Sequence, residues 1–108
     1  MESKAYILAS SEDNTVTIQV VGSMDMRLYS QLHELVRTHR HREGLRYVFD
    51  WSQTFYLHDS GVATLLKFGK WIAGQQAFME FANCGSHILQ SFTRTGTMER
   101  FVPAFQCN

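Results

Sequence analysis

The chain has 108 residues, 44% of them hydrophobic and 13% aromatic, enough apolar surface for one compact core. Its 10 lysines and arginines balance 10 aspartates and glutamates. That zero net charge argues against a nucleic-acid binder, which carries a basic excess, and the hydrophobicity argues against a disordered chain. No segment approaches the ~20 apolar residues that cross a bilayer, so no membrane insertion is expected. Met1-Glu2-Ser3-Lys4 lacks a basic region followed by an apolar run. The expectation is a single cytoplasmic domain over residues 1–108. Cys84 and Cys107 read as ordinary reduced thiols.

Residues 5–9 form a short apolar run, and Ser10 to Asn14 a polar turn. In the next run Val16, Ile18 and Val20 alternate with Thr17 and Gln19 up to Gly22, the period of a half-buried strand. Together these predict a hairpin. Asp25 is placed to cap a helix whose face is Leu28, Leu32, Leu35 and Val36, with Gly44 as its stop. Leu45 to Trp51 is nearly continuous in bulky residues, as in a strand covered on both faces. Ser52 to Asp59 reads as a loop. Val62, Leu65, Leu66, Gly69, Ile72 and Ala73 mark a second helix ending near Gly74. Residues 77–82 read as a strand, and Ser86 as the cap of a third helix carrying Ile88, Leu89 and Phe92, with Gly96 at its end. The tail 98–105 is apolar, strand or helix undecided. The order β-β-α-β-α-β-α predicts an α/β fold: βαβ crossovers in a mixed sheet opened by a hairpin.

Leu57-His58-Asp59-Ser60-Gly61-Val62 stands where a loop enters a helix. Ser60 is at or next to the N-cap, where unpaired N–H groups favour a phosphate. An ordinary serine cap accounts for the same spacing. His58 and Asp59 beside Ser60 invite a catalytic triad, but Gly-x-Ser-x-Gly is absent, and triads are assembled in space rather than along the chain. No phosphate-binding glycine loop is present. Neither catalysis nor a cofactor is expected. Cys84-Gly85-Ser86-His87 is half of a metal motif without a second half. His39 and His41 are two apart, which on a helix sends them to different sides. No metal site is expected. Arg37 to Arg42, with Arg46 beyond, concentrates positive charge; it suits a helix C-terminus or the docking of an acidic partner or lipid headgroup. Met24 and Met26 flank Asp25, as an adaptable contact surface or as core.

Four segments in order resemble the STAS domain, in particular the bacterial anti-sigma factor antagonists. They are Val20-Val21-Gly22-Ser23-Met24-Asp25, Tyr47-Val48-Phe49-Asp50-Trp51-Ser52, Asp59-Ser60-Gly61-Val62-Ala63-Thr64-Leu65-Leu66, and Phe92-Thr93-Arg94-Thr95-Gly96 with Phe101. The resemblance implies a mixed sheet of four or five strands with helices mainly on one side, and a binding switch rather than an enzyme. It makes Ser60 the phosphoacceptor of an anti-sigma factor that is also a serine kinase, with a PP2C-type phosphatase reversing the reaction. Met24, Asp25, Asp50, His58, Asp59 and Gly61 become the expected partner-binding residues, the strand-end Asp25 and Asp50 bordering the same end of the sheet. The family commonly has Asp-Ser-Ser-Gly where this chain has His58-Asp59-Ser60-Gly61. The alternative is a STAS subunit of a larger assembly, such as a lipid-transport ABC complex; a small hydrolase using Ser60 is a third reading.

A phosphate on Ser60 would add about −1.5 to −2 charges. The helix terminus would favour it, and Asp25, Asp50 and Asp59 would oppose it. Those terms are small, so the switch is expected to act at an interface, where burying an unpaired phosphate is costly.

Overall fold

Strand alternation sets the sheet in the computed structural model, which describes residues 5–39 and 43–105. β1 (Tyr6–Glu12) and β2 (Thr15–Met24) pair antiparallel across Asp13 and Asn14. The polar turn is thus shorter than expected, because Ser10 to Glu12 continue the strand. β2 buries Val16, Ile18 and Val20 and leaves Thr17 and Gln19 half-exposed. β3 (Arg46–Asp50) runs parallel to β2 with Phe49 opposite Ile18, and β5 (Phe78–Ala82) runs parallel to β3 with Phe81 opposite Phe49. The order is β1-β2-β3-β5.

The loop expected at 52–59 is a short helical turn, Trp51–Gln53, followed by a fifth strand, β4 (Thr54–Leu57). β2 outlasts β3: Thr15 to Gln19 pair with β3, and Gly22 to Met24 pair with β4 on a shifted register. The shift falls between Gly22 and Ser23, and Gly22 takes a φ of 98°, left-handed backbone natural only to glycine. Side chains secure this four-residue strand. Thr54 Oγ1 donates to Val20 O at 2.6 Å, His87 Nε2 donates to Thr54 O at 2.8 Å, and Ser91 Oγ donates to Leu57 O at 2.8 Å. The carbonyl can only accept, so His87 carries its proton on Nε2.

A 3-10 turn (Met26–Leu28) leads into α1 (Tyr29–His39). Asp25 caps that turn, accepting from Arg27 N, rather than the α-helix itself. α2 (Asp59–Ala73) buries the expected Val62, Leu65 and Ile72 and, unforeseen, Phe68; Leu66 and Gly69 are half-buried and Ala73 is exposed. α3 (Ser86–Arg94) begins after Gly85, so Ser86 is its first residue and not its cap. The undecided tail is helical: a 3-10 turn (Met98–Phe101) and α4 (Val102–Phe105).

Phe49 lies among the rings of Trp51, Phe68 and Phe81, at centroid distances of 5.3–6.1 Å. Phe81 continues the cluster to Phe92, Phe101 and Phe105, fastening the C-terminal helices to the sheet edge. Truncating a ring at such a centre costs about 3–5 kcal/mol. The other face of β3 is not covered as expected: Arg46 is exposed and Val48 half-buried. There Arg46 Nε and Nη2 donate to both carboxylate oxygens of Glu80 on β5.

Candidate functional site

α2 starts where β2 and β4 end together. His58 is the N-cap residue, without a side-chain cap bond, so Ser60 sits one residue inside the helix rather than at its cap. His58 N donates to Met24 O at 2.9 Å, and His58 O accepts from Gly61 N and Val62 N. Gly61 lies directly against the Met24 backbone. A Cβ on Gly61 would collide with Met24 O and reach within 2.8 Å of its carbonyl carbon. Glycine is therefore what lets the helix start abut the strand end. Met24 is fully buried and Gly61 is buried as well. Neither offers surface to a partner; both set the height of the serine from below.

Ser60 is half-exposed, and its Oγ accepts the Met26 backbone N–H at 3.1 Å. It opens on a surface groove of about 290 Å³ shared with Met26, Tyr29, Ala63, Thr64 and Lys67. Lys67 Nζ stands over the Tyr29 ring, 5.7 Å from its centroid. Met26 is 67% exposed, so the two methionines flanking Asp25 divide, one into the core and one onto the surface.

The carboxylates beside Ser60 are already matched. Arg27 Nε and Nη2 grip Asp25, the closest bond being 2.8 Å. Those hydrogen bonds, outweighing partial burial, hold the Asp25 carboxyl below its ordinary range. Arg94, at the end of α3, donates to Asp59 at 2.6 Å through Nη2, and its guanidinium lies 5.8 Å from the Tyr56 ring centroid. Tyr56 meets His58 edge to face at 4.6 Å. Phe55, 61% exposed, extends the aromatic surface along β4.

Asp50 is not part of this group. Burial pushes its pKa up, but hydrogen bonds from Asn83 Nδ2, Ser52 N and Gln19 Nε2 outweigh it and hold the carboxyl below its ordinary range. Its role is to cap the turn Trp51–Gln53. Three aspartates were expected to oppose a charge on Ser60; instead Asp50 caps that turn, while Asp25 and Asp59 each hold an arginine. In the basic run, Arg40, His41 and Arg42 lie outside the described residues. Of the remainder, Arg37 pairs with Glu34 and Arg46 with Glu80.

Arg27, Tyr56 and Lys67 were not foreseen at the site, and Arg94 only as part of a signature. The signal available was slight: bulky residues in Phe55-Tyr56-Leu57 and a lysine seven residues after Ser60 on the α2 period.

This five-stranded mixed sheet, with α2 rising from the paired ends of β2 and β4, is a fold shared with solved anti-sigma factor antagonists: the chain has the STAS fold. An anti-sigma factor antagonist from Mycobacterium paratuberculosis superposes with a TM-score of 0.71 at 18% identity, over 92% of this chain and 84% of that one. The anti-sigma factor antagonist SpoIIAA in its unphosphorylated form gives 0.68 at 15% identity, over 84% and 81%. The Bacillus cell fate determinant SpoIIAA in its phosphorylated form gives 0.64 at 15% identity, over 86% of both chains. A structure described as Mglu matches at 0.59 and 12% identity, over 71% of this chain, which spans 19% of that protein's length. No protein-family model and no curated protein sequence matches the chain. Among the described residues no helix is long and apolar enough to cross a membrane.

Proposed function

We propose that the protein is a binding switch of the anti-sigma factor antagonist kind, working in the cytoplasm. Unphosphorylated, it binds an anti-sigma factor that is also a serine kinase; phosphorylation of Ser60 releases that partner, and a PP2C-type phosphatase restores binding. The observation that carries this reading is the setting of Ser60: a half-exposed hydroxyl in the first turn of a 15-residue helix, opening on a surface groove shared with exposed Met26 and Lys67 and half-buried Tyr29. Aromatic, methionine and arginine side chains are the types that dominate binding interfaces. The neighbour SpoIIAA is known in phosphorylated and unphosphorylated forms, which supports the same chemistry here.

The switch follows from charge at an interface. The exposed helix terminus favours a phosphate by only about 0.3–1 kcal/mol, too little to refold the domain. Burying that phosphate against a partner without a matching cation costs several kcal/mol. About 4 kcal/mol weakens binding roughly a thousandfold.

The test has two parts. Peptide mass spectrometry of protein from its own host is expected to find phosphate on Ser60. Binding to the copurifying regulator is then compared for wild type, Ser60→Ala and Ser60→Asp. The alanine variant binds and the aspartate variant does not; equal binding by both sinks the proposal.

A further inference from the structure

Between the later turns of α2 and β5, away from Ser60, lies a second, larger groove of about 560 Å³. Its walls are α2 at Leu65, Gly69 and Ile72, β5 at Met79, and the C-terminal segment at Phe101 and Pro103. The volume is in the range of small-molecule sites, and the lining is apolar, as such sites usually are. Gly69 keeps its α2 wall low: the nearest atom to a Cβ built there is Met79 Cε, at 3.2 Å.

The charges around the groove are uneven. Lys70, Arg100 and Glu80 are its ionisable residues. Glu80 is committed to Arg46 by two hydrogen bonds, at 2.7 and 2.8 Å. Lys70 and Arg100 form no ion pair among the described residues. An apolar trough with two uncompensated cations complements a molecule with an apolar body and one anionic head.

We propose that this groove binds a small amphiphilic carboxylate, its hydrocarbon against Leu65, Met79 and Phe101 and its head between Lys70 and Arg100. The site is separate from Ser60 and holds whether or not Ser60 is phosphorylated.

The experiment is a titration of the full chain with sodium decanoate below its micelle concentration, followed by proton–nitrogen correlation spectra. Saturable shifts are expected at Gly69, Lys70, Met79, Arg100 and Ala104. Lys70→Gln and Arg100→Gln alter exposed side chains outside the core. Each is expected to weaken decanoate by about fivefold, the factor of a partly exposed ion pair. Decanol, the uncharged analogue, is expected to bind more weakly than decanoate. Gly69→Leu, which suits a helix better than glycine, is expected to fill the groove and abolish the shifts. The proposal is overturned if decanoate gives no saturable shifts or shifts scattered over the surface. It is equally overturned if decanol binds as well as decanoate, if the glutamine variants bind unchanged, or if sedimentation shows a second copy of the chain covering the groove.

Discussion

The hydroxyl of Ser60 accepts the backbone N–H of Met26 at 3.1 Å, joining the first turn of α2 to the turn that follows β2. The bond ties two surfaces 34 residues apart in sequence. Ser60→Ala removes the acceptor at a site where water can partly replace it. The expected cost is about 0.5–1.5 kcal/mol in urea unfolding, with the Met26 amide resonance displaced and the core resonances unmoved. A phosphorylated Ser60 presents stronger acceptor oxygens, so the same amide should move further.

Gly61→Ala should do the opposite of what helix propensity dictates. In an open helix the change stabilises by up to about 1 kcal/mol. Here the new methyl meets the Met24 backbone, which cannot yield as a side chain would. A loss of about 1–3 kcal/mol is expected, the usual range for overpacking. Thermal or denaturant unfolding reads it directly, and a stabilised variant would contradict the described approach of helix to strand.

Acid should weaken the fold through Asp25 and Asp50. Both have folded pKa values below their ordinary 3.8. A depressed carboxyl contributes stability above its unfolded pKa and loses it as pH falls through the folded one. Stability from urea titrations should therefore hold near neutrality and decline below the ordinary carboxylate range. Asp25→Asn should flatten part of that decline, because an amide cannot titrate.

Cys84 should react slowly. Burial pushes its thiol up to about 11 from an ordinary 9.0. At neutral pH that leaves about a hundredfold less thiolate than a free cysteine, and the thiolate is the nucleophile. Alkylation by iodoacetamide, read by peptide mass spectrometry, should be slow in the native protein and fast in denaturant.

Much of this architecture was legible in the sequence because it rests on local periodicity. Val16, Ile18 and Val20 declared a strand, and Val62, Leu65 and Ile72 a helix, and the structure has both. β4 escaped because four residues are too few to display an alternation, and its burial runs inward at both ends and outward between. Its stability comes from Val20, His87 and Ser91, which no local pattern connects to it. The position of Ser60 was readable to within two residues, since His58, Asp59 and Ser60 are all polar candidates for a helix cap. The arginine opposite Asp59 was not readable, because Arg94 arrives from 35 residues away. The partners of Asp50 were unreadable for a related reason. Its strand ends on the same side of the sheet as β2, yet its side chain is turned to Asn83 and Gln19.

The pairing of Asp25 with Arg27 and of Asp59 with Arg94 bears on how fast partners meet. Lys67 apart, the charges around Ser60 cancel in pairs, so this surface exerts little long-range pull and encounter with the unmodified protein is governed mainly by diffusion and orientation. Its association rate should change little with added salt. A phosphate on Ser60 breaks that balance and gives the same face a net field extending about a Debye length, some 10 Å at 0.1 M salt. The modified protein would then be drawn toward a basic catalytic cleft and repelled by an acidic one. One chemical group would thus decide which partner lets go and which partner arrives first.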